Sequence, residues 1–254
     1  MKGDLNLLET DNFTLKQTVS NIGSIIYGIC QIKNEIIAFG NEMGSLIFMN
    51  TTRFDIIEII RFAHIGEDYS MVLLKPDILI TSSADNSIKV WNITTYDLML
   101  TLKGHSDEVN KLIKLRNGDF ASASTDNSVI IWNGESFTLK KSLIRHNKVF
   151  VTIAQLENNN IISSTFDSML IVWNINNYEI IMELAFTKAI TALIALNNCN
   201  VVGGFSDGEI IIWNKDWKKI FSAKNSTSVI EDIKILKNGG LAVSDKDGYL
   251  TIWN

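Results

Sequence analysis

The stretch SSADNSIKVWN, residues 82–92, returns along the chain as SASTDNSVIIWN (122–133), SSTFDSMLIVWN (163–174), GGFSDGEIIIWN (203–214) and AVSDKDGYLTIWN (242–254). A weaker copy, FGNEMGSLIFMN, occupies 39–50. With Met49, Trp91, Trp132, Trp173, Trp213 and Trp253 as anchors, the successive steps are 42, 41, 41, 40 and 40 residues. A period this constant marks one supersecondary unit repeated, each copy too small to bury its apolar faces alone and therefore stacked on its neighbours.

Counting back from the anchors aligns more than tryptophan. Seventeen residues before them stand Ile32, Leu74, Leu115, Leu156, Leu196 and Leu236; fifteen before stand Asn34, Pro76, Asn117, Asn158, Asn198 and Asn238. These are an apolar strand end and its turn. Short β-branched runs are broken by Asn, Asp and Gly, and no 3.6-residue apolar stripe appears, so the expected class is all-β. In the third copy the strands fall near 109–115, 119–124, 128–133 and 136–143. Four strands per 40 residues is one blade of a propeller.

Composition narrows the function classes. Of 254 residues 46% are hydrophobic and 20% charged, with a single proline, which excludes a disordered or fibrous chain. The net charge of −5, without a basic block, argues against nucleic acid as a partner. Cys30 and Cys199 form no metal or disulfide pattern and read as two buried thiols in a reducing compartment. The acidic N-terminus lacks a signal-peptide core and no apolar run reaches about 18 residues, so no membrane association is expected and a cytoplasmic location is, with the nucleus as the alternative. No cofactor or metal is expected. Asp245, Asp247 and Gly248 lack the remaining ligands of a calcium loop. Trp217, beside Lys215, Lys218 and Lys219, reads as a solvated turn.

From residue 12 onward the chain resembles the WD-repeat β-propeller family. That family places a His before the inner strand, Ser or Thr in the second strand, Asp in the next turn and Trp in the third strand. Here the four recur as His64, Thr81, Asp85 and Trp91; His105, Ser122, Asp126 and Trp132; and His146, Ser163, Asp167 and Trp173. The family's Gly precedes only His105. In the copies ending at Met49, Trp213 and Trp253 the His is missing, and Phe39, Gly203 and Val243 hold the Ser/Thr position. Such joint loss suits a buried hydrogen-bond network, where one absent partner strands the other. A hydrolase triad is the competing reading, but three copies at equal offsets favour a structural role.

The resemblance implies a closed propeller of six four-stranded blades, in one domain with units 12–50, 53–92, 95–133, 136–174, 177–214 and 217–254. The strand NFTLKQTV (12–19), matching SFTLKKSL (136–143), would complete the last blade. Residues 4–9, however, align with a third strand, which leaves an incomplete seven-bladed propeller as the alternative. A monomeric ring is expected, a strand-swapped dimer being the other outcome.

The family's usual work is non-catalytic: its rims hold partner peptides or domains. Mapped by offset, the rim residues singled out are Tyr27, Glu42, Glu67, Tyr69, Glu108, Asn110, Val151 and Phe166, with aromatics as anchors and acids selecting a basic peptide. A sensor or regulatory region of a larger signalling protein is a second reading. A ubiquitin-ligase receptor is disfavoured, because the family's Trp-Asp-x-Arg adaptor motif is not formed where Thr94, Glu135, Asn176 and Asp216 stand.

Overall fold

The computed structural model describes residues 5–8, 15–19, 25–144 and 149–253. Every regular element among them is a β-strand. The chain begins with a two-stranded sheet, β1 (Leu5–Leu8) and β2 (Leu15–Val19). Five four-stranded sheets follow in chain order. They are β3 (Ile26–Lys33), β4 (Ile36–Asn41), β5 (Leu46–Asn50) and β6 (Ile56–Ile60); β7 (Asp68–Lys75), β8 (Ile78–Ser83), β9 (Ile88–Asn92) and β10 (Asp97–Leu102); β11 (Val109–Lys114), β12 (Phe120–Ser124), β13 (Ser128–Trp132) and β14 (Leu139–Ile144); β15 (Phe150–Gln155), β16 (Ile161–Thr165), β17 (Met169–Trp173) and β18 (Ile180–Ala185); and β19 (Ile190–Ala195), β20 (Val201–Phe205), β21 (Glu209–Trp213) and β22 (Lys219–Lys224). A three-stranded sheet, β23 (Ile230–Ile235), β24 (Leu241–Asp245) and β25 (Leu250–Trp253), comes last.

The residues fall into two compact units, Met1–Lys114 with Ser136–Thr138, and Leu115–Glu135 with Leu139–Asn254. In the first, the inner strands β3, β7 and β11 stack in succession; in the second, β15, β19 and β23 do. Four-stranded antiparallel meanders stacked through their first strands are the blades of a β-propeller. Burial follows strand order. In the middle strands β12, β13 and β16 every residue is buried, whereas the fourth strands β10 and β22 are mostly exposed.

Two turns recur, each explained by its residues. Between the second and third strands the residue after Asp takes left-handed backbone: Asn86, Asn127, Ser168, Gly208 and Gly248 have φ of 66°, 68°, 70°, 85° and 87°. Asn and Gly tolerate that region best, and the Asp carboxylate closes the turn by accepting the amide two residues on, from Ser87, Ser128 and Glu209. Between the third and fourth strands the Asn after each anchor does the same, taking the amides of Thr52, Thr94, Glu135, Asn176 and Asp216. An aromatic then stands at positive φ: Phe54, Tyr96, Phe137, Tyr178 and Trp217. Bulky residues hold that conformation only when packing compensates. Tyr96 meets the Phe48 ring at 4.8 Å, the Lys75 ammonium lies 5.9 Å from the Phe137 ring centre, and Trp217 packs on the cluster built by Val172, Leu193 and Phe205. Trp217 is therefore part of the core edge, which corrects its reading as a solvated turn.

Two further readings are corrected. The expected completion of the last sheet by residues 12–19 is not what the described strands form, since β2 pairs with β1 and the last sheet has three strands. The register explains why. Leu7 faces Gln17 and Leu8 faces Leu15, the same slip that sets Ile131 opposite Lys141 and Trp132 opposite Leu139. Leu8 stands 41 residues before Met49, so β1 and β2 carry the third-and-fourth-strand pattern of the repeat and close a short loop. The cysteines are not both buried: Cys30 is half-buried, while Cys199 lies exposed on a turn at φ 63° and donates to Glu157 Oε2 at 2.8 Å. Among the described residues no helix is long and apolar enough to cross a membrane.

Candidate recognition site

The repeated polar residues assemble completely in the second blade. The Trp91 indole N–H donates to Thr81 Oγ1 at 3.0 Å, and Thr81 Oγ1 lies 2.7 Å from His64 Nε2. His64 Nδ1 sits 3.1 and 3.0 Å from the two Asp85 oxygens. One proton arrangement satisfies every group: the Thr81 hydroxyl donates to Nε2, and Nδ1–H donates to the carboxylate. Asp85 also accepts the Ile65 amide and the Ser87 hydroxyl, at 2.9 and 2.6 Å. The order hydroxyl, imidazole, carboxylate is that of a hydrolase triad. Yet Thr81 and His64 are fully buried and the hydroxyl oxygen already accepts from Trp91, so no substrate carbonyl can approach it.

Burial depresses the His64 pKa below its ordinary 6.5, and the Asp85 carboxylate opposes this only in part. For Asp85, burial alone would raise the pKa, but the His64 and Ser87 hydrogen bonds hold it well below the carboxylate range. Below pH 6.5 the unfolded chain thus takes up a proton at His64 more readily than the folded one, and stability from this residue declines as pH falls through that value. The Asp85 contribution is lost only later, as pH drops below 3.8. Urea midpoints measured between about pH 7 and pH 5 should fall in the wild type. His64→Gln should flatten that slope; an unchanged slope would show that His64 is not its source.

In the third repeat His105 is buried in the first unit, and Trp132 donates to Ser122 Oγ at 2.8 Å in the second, where Asp126 takes the Ser128 hydroxyl at 2.6 Å. In the fourth, Trp173 donates to Ser163 Oγ at 2.8 Å and Asp167 accepts from Thr165 Oγ1; His146 lies outside the described residues. The fifth blade is built differently. Phe186 stands at the His offset, its ring 5.4 Å from Trp213 and 5.7 Å from Phe205. Gly203 takes the Ser/Thr place, and a Cβ there would lie 2.7 Å from the Trp213 ring. Asp207 does more than close its turn. Lys188 and Lys224 both bind it, and although burial would raise its pKa, these ammonium groups hold it at about 2.

The rim residues of the first unit form an ordered series. Tyr27 and Tyr69 each stand 22 residues before their anchors, and Glu67 and Glu108 stand 24 before theirs. The Tyr27 hydroxyl donates to Glu67 Oε1, and the Tyr69 hydroxyl to Glu108 Oε2, both at 3.4 Å. The two rings meet edge to face, 5.6 Å between centres and at 90°. One aromatic–acid pair therefore repeats from blade to blade across β3, β7 and the start of β11. Burial first, then Glu67 and Glu108, raise the Tyr69 pKa, so its phenol stays a donor at neutral pH. Tyr27 and Glu42 are exposed, and Glu67, Tyr69, Glu108 and Asn110 half-buried. Nearby Lys89 is tied to the Ala63 carbonyl oxygen. The series stops where the next −24 position is Val149, which carries no acceptor. In the second unit Val151 is half-buried on β15 and Phe166 is 74% exposed. The paired spacing of −22 and −24 was present in the sequence as a signal that Tyr and Glu of neighbouring repeats would meet.

Among the described residues no group of three or more His, Cys, Asp or Glu side chains is placed to hold a metal ion. Residues 73–92 and 96–133 match the family described as WD domain, G-beta repeat; the match takes in Thr81, Asp85 and Trp91 of the second blade, but not His64, and runs on through β13 of the next. Together with the blades described above, this match supports a WD-repeat β-propeller. The search of curated proteins gave no match. Propellers of this family generally serve as scaffolds for protein interaction.

Proposed function

We propose that the protein is a non-catalytic recognition scaffold, and that the Tyr27–Glu67 and Tyr69–Glu108 series binds a basic segment of a partner protein. The carrying observation is the pairing of exposed or half-buried tyrosines with carboxylates across successive inner strands. Both hydroxyl–carboxylate contacts are long at 3.4 Å, so a Lys or Arg side chain can replace the phenol on each carboxylate and lie against the ring it frees. Aromatic bodies with polar tips are favoured interface anchors, and fixed acids add selectivity and salt dependence. The buried Thr81–His64–Asp85 chain supports the non-catalytic part of the reading, since it offers no open nucleophile.

The test uses fluorescein-labelled dodecapeptides alternating Lys or Arg with apolar residues, and matched peptides with Glu in place of the cations. The basic set should bind and the acidic set should not. Tyr27→Ala with Tyr69→Ala should weaken binding more than tenfold at nearly unchanged thermal stability. Equal affinity for both peptide sets, or for wild type and double variant, would refute the assignment.

A further inference from the structure

A cavity lies within the second unit, at the end of the blades that carries the third-to-fourth-strand turns. It encloses about 340 Å³ between the β15–β18 and β19–β22 sheets, a volume at the small end of ligand pockets. Val172, Ala195 and Trp217 lie in its wall, and Glu157, Asn160 and Lys215 bring polar groups to it.

The junction between the first and second blades shows what fills the same place elsewhere. There Phe48, one residue before its anchor, meets the ring of Tyr96 at 4.8 Å, with Leu73 and Ile36 packed on the same cluster. The equivalent residues by offset are Val172 for Phe48, Ala195 for Leu73 and Asn160 for Ile36. Three side chains are thus smaller or more polar, while Trp217 keeps the aromatic wall that Tyr96 provides. A hollow remains where the first junction places a phenyl ring. Close-packed interiors do not leave such a volume without loss of dispersion contacts, so an occupant gains what Phe48 gains.

The charges define the rest of the occupant. Glu157 and Lys215 place one carboxylate and one ammonium among the lining residues, which suits a molecule bearing both signs beside its ring. We propose that this cavity binds a free aromatic amino acid, its ring against Trp217 in the place of the Phe48 ring, its α-ammonium on Glu157 and its α-carboxylate on Lys215. The Glu157 carboxylate is already held in position by the Cys199 thiol at 2.8 Å. This site stands apart from the Tyr–Glu series and does not depend on it.

The test is calorimetric titration of the full chain with L-phenylalanine, L-tyrosine and L-tryptophan, extended to about 10 mM so that even millimolar affinity is seen. Saturable binding of at least one is expected. 2-Phenylethylamine and 3-phenylpropionate, each lacking one charge, should bind at least tenfold more weakly, and N-acetylphenylalanine amide, lacking both, weaker still. Val172→Phe fills the hollow as the first junction is filled and should abolish binding. Glu157→Gln, a conservative change at the lining, should weaken it more than tenfold with the melting temperature unchanged. Absence of binding by all three amino acids overturns the proposal, as does undiminished binding by both variants. Equal affinity for N-acetylphenylalanine amide overturns the zwitterion assignment.

Discussion

Thr81→Val should lower folding stability by about 2–5 kcal/mol, because one hydroxyl serves two buried partners and each stranded group costs about 1–3 kcal/mol. The substitution keeps the shape but removes the acceptor of the Trp91 indole N–H and the donor to His64 Nε2. Neither partner can turn to water, since His64 and Thr81 are fully buried and Trp91 nearly so. In a chain of this size the loss corresponds to a fall in melting temperature on the order of 10 °C. Differential scanning calorimetry of the variant checks it. A change of 1–2 °C would mean that the tetrad is incidental to stability. Adding His64→Phe to Thr81→Val should recover part of the loss, because removing both ends of a buried hydrogen bond costs less than removing one.

Gly203→Ser should destabilise the protein by roughly 1–3 kcal/mol, the cost of overpacking a closed core, although it installs the residue type that the family prefers there. In the third and fourth repeats serine at this offset receives the tryptophan N–H. In the fifth blade the Trp213 ring has moved over the glycine, and an added Cβ would stand 2.7 Å from two of its carbons. The ring cannot simply withdraw, because Phe186 and Phe205 enclose it at 5.4 and 6.1 Å. Urea unfolding of Gly203→Ser and of Gly203→Ser with Phe186→His separates the causes. The double variant should be more stable than the sum of its single changes predicts, since together they restore the polar arrangement; strict additivity would show that the two positions do not communicate.

These two blades show what sequence reading reaches. The period, the tetrad and the strands were legible because each is a local pattern with a local cause. Strands expected at 119–124 and 128–133 are found at Phe120–Ser124 and Ser128–Trp132, on either side of the Asp126-Asn127 turn. The fourth strand, expected from 136, begins at Leu139, since the turn holding Phe137 at positive φ takes the residues before it. The aromatic stack around Trp213 was not legible, because the loss of His and Ser says that a network is gone and not what replaces it. Nor was the place of Trp217, whose charged neighbours suggest a solvated turn while its ring joins the core edge. The Tyr27–Glu67 and Tyr69–Glu108 contacts join residues 40 and 39 apart, and only the repeat offset links them in the sequence. The partner of β2 was misread because two strands carry the same pattern, and the nearer one in the chain is taken.

The most direct test of the recognition surface is a footprint. Amide chemical shifts of the isotopically labelled chain, recorded during titration with the Lys/Arg dodecapeptides, report which residues the peptide meets. The account predicts that the largest changes cluster at Tyr27, Glu67, Tyr69 and Glu108, at the starts of three successive inner strands, and shrink as salt rises. Changes centred instead on the third-to-fourth-strand turns around Asn92 to Tyr96, with Tyr27 and Tyr69 unmoved, would contradict it.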